Sequence, residues 1–197
     1  MRKLLGILIA ASASCSDDDG SSTPPAPVEV VFLGDSITRN AVNASTLDQK
    51  YSAVGWGVPG FTAELGKRYV ALVLRDRPNA SVVVVGFGTN DAYSNNTPVA
   101  TYKANVLSII QIIQAAGMKA VLTLTPYSLE PELAGLPLYN AALEELIVET
   151  GAKRGADLYA WFLAHPGELS SDMTHPSDQG YASIGTLWEQ ALDAASQ

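Results

Sequence analysis

The sequence predicts an α/β domain in which a parallel sheet is covered by helices on both faces. Three observations carry that reading. Strand-like and helix-like segments alternate along the chain, the pattern of a sheet built from crossover units. The strand-like segments are continuous apolar runs, as expected of strands buried on both faces. The clearest of these runs end abruptly at Gly34, Gly86 and Pro126, residues that punctuate secondary structure.

Taken in order, residues 28–33 (VEVVFL) form a β-branched run and a buried first strand. Ser36, two residues beyond Gly34, then starts a helix. Residues 61–75 read as a second helix, with Leu65, Tyr69, Leu72 and Val73 on one face. Pro78 and Asn79 turn the chain into residues 81–85 (SVVVV), the plainest buried strand. An amphipathic helix over 99–116 stops at Gly117, and a strand over 119–124 follows. A helix over 138–153, a short strand near 157–159 and a closing helix over 180–195 complete the domain. Connections between parallel strands run right-handed. Ligands of such sheets bind at the carboxyl ends of the strands, so chemistry-bearing motifs are expected just after strands.

Composition narrows the function. Hydrophobic residues make up 47% of the 197 positions and charged residues 16%. A disordered chain needs the opposite balance. Lys and Arg number 12 against 20 Asp and Glu, for a net charge of −8. The basic residues are scattered, which excludes the clustered footprint of a nucleic-acid binder. One cysteine, Cys15, excludes a disulfide framework, and two histidines, His165 and His175, leave no His-rich metal site.

Residues 1–14 read as an export signal. Arg2 and Lys3 precede a short apolar run, LLGILIAA, and Ala11-Ser12-Ala13 has the small-x-small pattern of a cleavage site. The run is shorter than the ~20 residues a membrane-spanning helix needs. Cys15 resembles the lipidated cysteine of bacterial lipoproteins, and residues 15–27, polar, acidic and Pro-rich, suit a flexible tether. The usual Leu three positions before that cysteine is absent, which leaves simple secretion as the alternative to membrane attachment through Cys15. Residues 28–197 form the domain.

Three motifs sit where the topology expects them. Gly34-Asp35-Ser36 follows the first strand and puts a hydroxyl at a helix start, where unpaired N–H groups point outward. Gly88-Thr89-Asn90-Asp91 follows the SVVVV strand and offers a side-chain amide. Asp172-Met173-Thr174-His175 precedes the last helix and brings a carboxylate within reach of an imidazole on one loop. A fourth segment, Gly57-Val58-Pro59-Gly60, precedes a helix, and a free N–H there suits an oxyanion. Each alone is equally an ordinary turn or helix cap. The adjacent Asp35 and Asp91 raise a paired-carboxylate mechanism, against which stands their reading as turn and network residues. His165 is not preceded by a carboxylate three positions earlier, as His175 is, and reads as structural.

In combination and order these motifs resemble the SGNH hydrolases, also called the GDSL esterase/lipase family, and in particular its short lysophospholipase- and thioesterase-like members. Ser36, Gly60, Asn90 and His175 stand at the four name-giving positions, with Asp172 as third member of a triad. The glycine block is the loosest match, and Gly57 competes with Gly60. The resemblance covers nearly the whole domain. It implies a three-layer α/β/α, flavodoxin-like fold with a central five-stranded parallel sheet. It also implies hydrolysis of carboxylic esters or thioesters of small-molecule or lipid substrates through an acyl-enzyme on Ser36, with no metal or cofactor. The oxyanion would be held by the N–H groups of Ser36 and Gly60 and the amide of Asn90. A carbohydrate O-deacetylase acting on acetylated polysaccharide is the alternative within the same chemistry. A non-catalytic envelope binding module is the alternative of a different class. Residues 93–96 and the Leu- and Pro-rich stretch 127–138 should border the pocket, the latter leaning toward an acyl chain. Trp56 is either part of that border or core.

Overall fold

The computed structural model describes residues 26–45, 47, 50–93 and 97–196. The expected export signal, Cys15 and the tether as far as residue 25 lie outside the described residues, as do Ser94, Asn95 and Asn96. Five strands form one sheet: β1 (Val28–Gly34), β2 (Tyr51–Gly57), β3 (Val82–Gly86), β4 (Lys119–Leu124) and β5 (Lys153–Asp157). Their spatial order is β2-β1-β3-β4-β5, and every pair is parallel. This is the doubly wound, flavodoxin-like order, as the sequence resemblance implied.

The helices are α1 (Ser36–Ala44), α2 (Ala63–Arg75), the short α3 (Thr89–Ala92), α4 (Val99–Ala115), α5 (Leu136–Thr150), α6 (Leu158–Ala164) and α7 (Asp178–Ala195). Side chains alternate across a strand, so the continuous apolar runs feed two cores. Val31, Leu33, Val83 and Val85 pack with α2, α4 and α5 on one face. Val30, Phe32, Val82 and Val84 pack with α1, α6 and α7 on the other. Across that second core Phe32 lies against Trp188, ring centroids 4.6 Å apart. Full burial of one such aliphatic or aromatic side chain contributes about 1.5–3 kcal/mol, which is why apolar residues dominate both faces of the central strands.

Five details differ from the sequence reading. The strand over 51–57 has no strong signal, because it is an edge strand of small and half-exposed residues (YSAVGWG). The last strand is Lys153–Asp157, not 157–159. Gly151, in the left-handed region at φ 71°, ends α5 at Thr150 rather than at 153. The Asp157 carboxylate accepts the Ala160 N–H at 2.9 Å and starts α6 where a strand was expected. Helix α2 begins at Ala63 and turns a different face inward. Ala63, Gly66, Val70, Val73 and Leu74 are buried, whereas Tyr69 is 40% and Leu72 39% exposed. The inward face combines the buried apolar side chains with a close approach: a Cβ on Gly66 would come within 2.4 Å of the Phe87 ring.

Candidate active site

The carboxyl ends of β1 and β3 adjoin at the point where the strand order reverses, and the predicted motifs meet there. Gly34 makes the first turn possible through close approach. A Cβ on it would lie 2.0 Å from Thr38 Oγ1 and 2.5 Å from the Gly86 carbonyl oxygen. Asp35 is the N-cap of α1, its carboxylate accepting the Ile37 N–H at 2.9 Å. Ser36 is thereby the first residue of the helix, with its backbone in the unpaired first turn.

The Ser36 hydroxyl lies 3.0 Å from His175 Nε2. His175 Nδ1 lies 2.7 Å from Asp172 Oδ2. The other oxygen of Asp172 accepts three bonds, from Ser170 Oγ (2.8 Å), Thr174 N (2.9 Å) and His175 N (2.8 Å). Partial burial raises this carboxyl, but those N–H and side-chain donors outweigh it and hold it well below the usual carboxylate range. Asp172 is therefore ionised at any working pH. With Nδ1–H donated to it, the neutral imidazole presents Nε2 as an acceptor toward Ser36.

The loop carrying Asp172 and His175 is a small hairpin closed by an antiparallel bridge between Leu169 and Pro176. At its tip Met173 takes φ 61°, a left-handed conformation rare for a non-glycine residue. Its carbonyl accepts from Leu129 N (3.0 Å) and Ser128 Oγ (2.9 Å). The hairpin is thus tied to the loop after β4.

The turn after β3 supplies a second clamp. Asn90 Nδ2 donates to the Phe61 carbonyl at 3.0 Å. The Asp91 carboxylate accepts the Ala63 N–H at 3.0 Å. Two adjacent side chains thereby hold both ends of the segment that follows Gly60. Gly60 has φ 78° and open space around a would-be Cβ, so a glycine is demanded there by backbone conformation and not by crowding. Gly60 lines the cleft over Ser36; Gly57 is paired with Gly34 inside the sheet.

Asp35 and Asp91 are buried beneath this surface, 3% and 0% exposed. Burial pushes each carboxyl up to about 6, against the lowering effect of the backbone N–H groups they cap. Neither lines the cleft. Asp35 borders instead a small internal cavity of about 20 Å³ with Thr38, Thr123 and Thr125. Among the described residues no cluster of three or more His, Cys, Asp or Glu is placed to hold a metal ion. His165 is exposed, stacked on Trp161 with ring centroids 4.1 Å apart, and its Nδ1 lies 2.9 Å from the Trp161 carbonyl. It lies outside the cleft lining.

The cleft measures about 410 Å³. Beyond the residues already named, its walls are Pro59, Thr89, Tyr93, Glu130 and Thr174. Of the two segments expected to border it, 93–96 contributes Tyr93 among its described part and 127–138 contributes Glu130. The leucines of the second segment face elsewhere: Leu133 and Leu136 are buried in the domain, and Leu129 and Leu138 are exposed. Trp56 packs beside Tyr69, ring centroids 6.3 Å apart, and is not a cleft wall. Glu130 and the strained Met173 carry no sequence signal of their own.

A hydroxyl, an imidazole and a carboxylate in hydrogen-bonded series, at the strand ends of a doubly wound sheet, are the working parts of a serine hydrolase. Residues 32–183 match the model of the GDSL-like lipase/acylhydrolase family, and the chain belongs to that family. It is accordingly a serine hydrolase of the esterase type. Among solved structures it is similar to the lipase/acylhydrolase from Enterococcus faecalis, with 26% identity and a TM-score of 0.74 over 85% of this chain and 96% of that one. The psychrotrophic esterase EstA from Pseudoalteromonas sp. shares the fold at 16% identity and a TM-score of 0.70, over 85% and 98% of the two chains. So does an acetyl xylan esterase from Geobacillus stearothermophilus, at 18% identity and 0.69, over 84% and 94%. A search of curated proteins returned no match.

Proposed function

We propose that the protein hydrolyses carboxylic esters or thioesters of small acyl groups through an acyl-enzyme on Ser36. Ser36 Oγ attacks the acyl carbon while His175 Nε2 takes its proton. Asp172 holds the imidazole in the required tautomer and stabilises its positive charge. The backbone N–H groups of Ser36 and Gly60 and the Asn90 amide donate to the tetrahedral oxyanion. His175 returns the proton to the leaving alcohol, then activates the water that releases the acyl group. The observation that carries this reading is the series Ser36–His175–Asp172, with contacts of 3.0 and 2.7 Å.

A polar cleft favours a second reading of the substrate. Thr89, Tyr93, Glu130 and Thr174 offer hydrogen bonds, and no leucine of the 127–138 stretch lines the walls. A carbohydrate O-deacetylase, with a short acyl group and a hydroxyl-rich alcohol, suits such walls better than a long acyl chain does. We further propose that the protein is exported and either anchored through a lipid on Cys15 or secreted, on the strength of the apolar run and small residues of 1–14.

The test is a panel of nitrophenyl esters of increasing acyl length alongside acetylated xylan, with Ser36→Ala as the control. Turnover should be highest for acetyl and fall with chain length, and Ser36→Ala should abolish it without moving the thermal unfolding midpoint. A fluorophosphonate should label the wild type at Ser36. Activity surviving in Ser36→Ala would sink the assigned nucleophile.

A further inference from the structure

Glu130 is a carboxylate in the cleft wall for which the hydrolytic steps above have no use. It is half-buried, and among the described residues its side chain has no hydrogen-bond or ion-pair partner. The fold nevertheless anchors its position. The Glu130 N–H donates to Ser128 Oγ at 3.0 Å. Ser128 Oγ in turn donates to the Met173 carbonyl, which also accepts the Leu129 N–H. This carboxylate is therefore tied to the hairpin that carries His175, the group that hands a proton to the departing alcohol.

The charges around it are one-sided. Among the described residues no Lys or Arg lines the cleft. The other carboxylate of the wall, Asp172, is already engaged by His175 and three further donors. Glu130 thus leaves a net negative charge in the cleft wall, on a loop bonded to the hairpin of His175. The same cleft is lined by Tyr93, 46% exposed, whose ring face suits a cation.

We propose that Glu130 is the specificity determinant for the alcohol portion of the ester and selects alcohols that carry a positive charge, such as amino alcohols or amino sugars. The inference rests on the esterase reading above and adds to it the charge of the leaving group. A half-buried carboxylate is screened less than one in open water, so its attraction for a cation survives in the cleft. The same charge repels an anionic alcohol portion.

The experiment compares acetylcholine with its uncharged tert-butyl isostere, measuring kcat/KM for both at low ionic strength. The wild type should favour the cationic ester by about tenfold, and added salt should erode the preference. Glu130→Gln should bring the two esters within about twofold of each other, and Glu130→Lys should invert their order. In the wild type alone, choline should compete better than the uncharged isosteric alcohol. Equal handling of the two esters by the wild type, or a preference that persists in Glu130→Gln, would overturn the proposal while leaving the esterase reading intact. Absence of turnover of both esters and of nitrophenyl acetate would overturn the esterase reading, and this proposal with it.

Discussion

Replacing Asp35 by asparagine should change how the stability of the protein depends on pH, and by an amount the structure sets. The Asp35 carboxyl is buried, and that burial raises it from 3.8 to about 6. As pH rises, the unfolded chain gives up this proton first. Between those two values the native state therefore holds more protons than the unfolded state, and unfolding free energy falls with rising pH. The displacement corresponds to ~3 kcal/mol in full, of which ~2.4 kcal/mol is lost between pH 4 and pH 7. Asparagine does not titrate, yet its side-chain oxygen still caps the Ile37 N–H. The measurement is urea unfolding of both proteins at intervals from pH 4 to pH 7, followed by circular dichroism. The wild-type stability should decline more steeply than that of Asp35→Asn, with the two curves converging at the acid end apart from a constant offset. That offset, whatever its sign, does not enter the comparison of slopes. Parallel curves would refute the reasoning, because they would mean that the buried carboxyl ionises in the native protein as readily as in the unfolded chain.

Asn90→Ala should lower kcat by about 10²–10³ with KM little changed, since it removes the proposed oxyanion donor and the tie to the Phe61 carbonyl; a rise in KM at constant kcat would count against that role. Met173→Gly should raise stability by about 1 kcal/mol in urea unfolding, because φ 61° suits glycine better than an L side chain; a loss of stability would mean the tip is held by the methionine side chain instead. His165→Ala should leave turnover within about twofold of wild type in the nitrophenyl acetate assay, as expected of an exposed surface position, and a large loss would mean that the wrong histidine had been assigned to the site.

The parts of the fold that announce themselves in the sequence are those whose residues do one thing. The run 81–85 is apolar on both faces because β3 is covered on both, so its pattern and its position agree. The edge strand over 51–57 serves a solvent side and a packed side with Ser, Ala and Gly, and leaves no pattern to read. Helix α2 misleads for a different reason: its contact surface joins Val70, Val73 and Leu74 to Ala63 and Gly66, the last small enough to let Phe87 approach, and a search for large apolar residues also picks up the outward Tyr69 and Leu72. The same division runs through the site. Ser36, Asn90, Asp172 and His175 stand in short local motifs, and the structure brings them and Gly60 to one cleft. Glu130 reaches that cleft only because Ser128 and Leu129 bond across to the Met173 carbonyl, a pairing between residues more than forty positions apart. No local pattern encodes such a contact. The leucine-rich character of 127–138, which pointed to an acyl chain, turned out to serve the domain core and its outer surface.

The hairpin closed between Leu169 and Pro176 carries both Asp172 and His175, whereas Ser36, Gly60 and Asn90 are held by the sheet and its turns. The proposed reactive centre is thus split between residues held by the sheet and residues held by one loop. On the proposed mechanism, opening the hairpin would take away the imidazole and its carboxylate partner together and leave Ser36 unactivated in an otherwise folded domain. Loss of activity on heating would then report on that one loop as well as on the sheet.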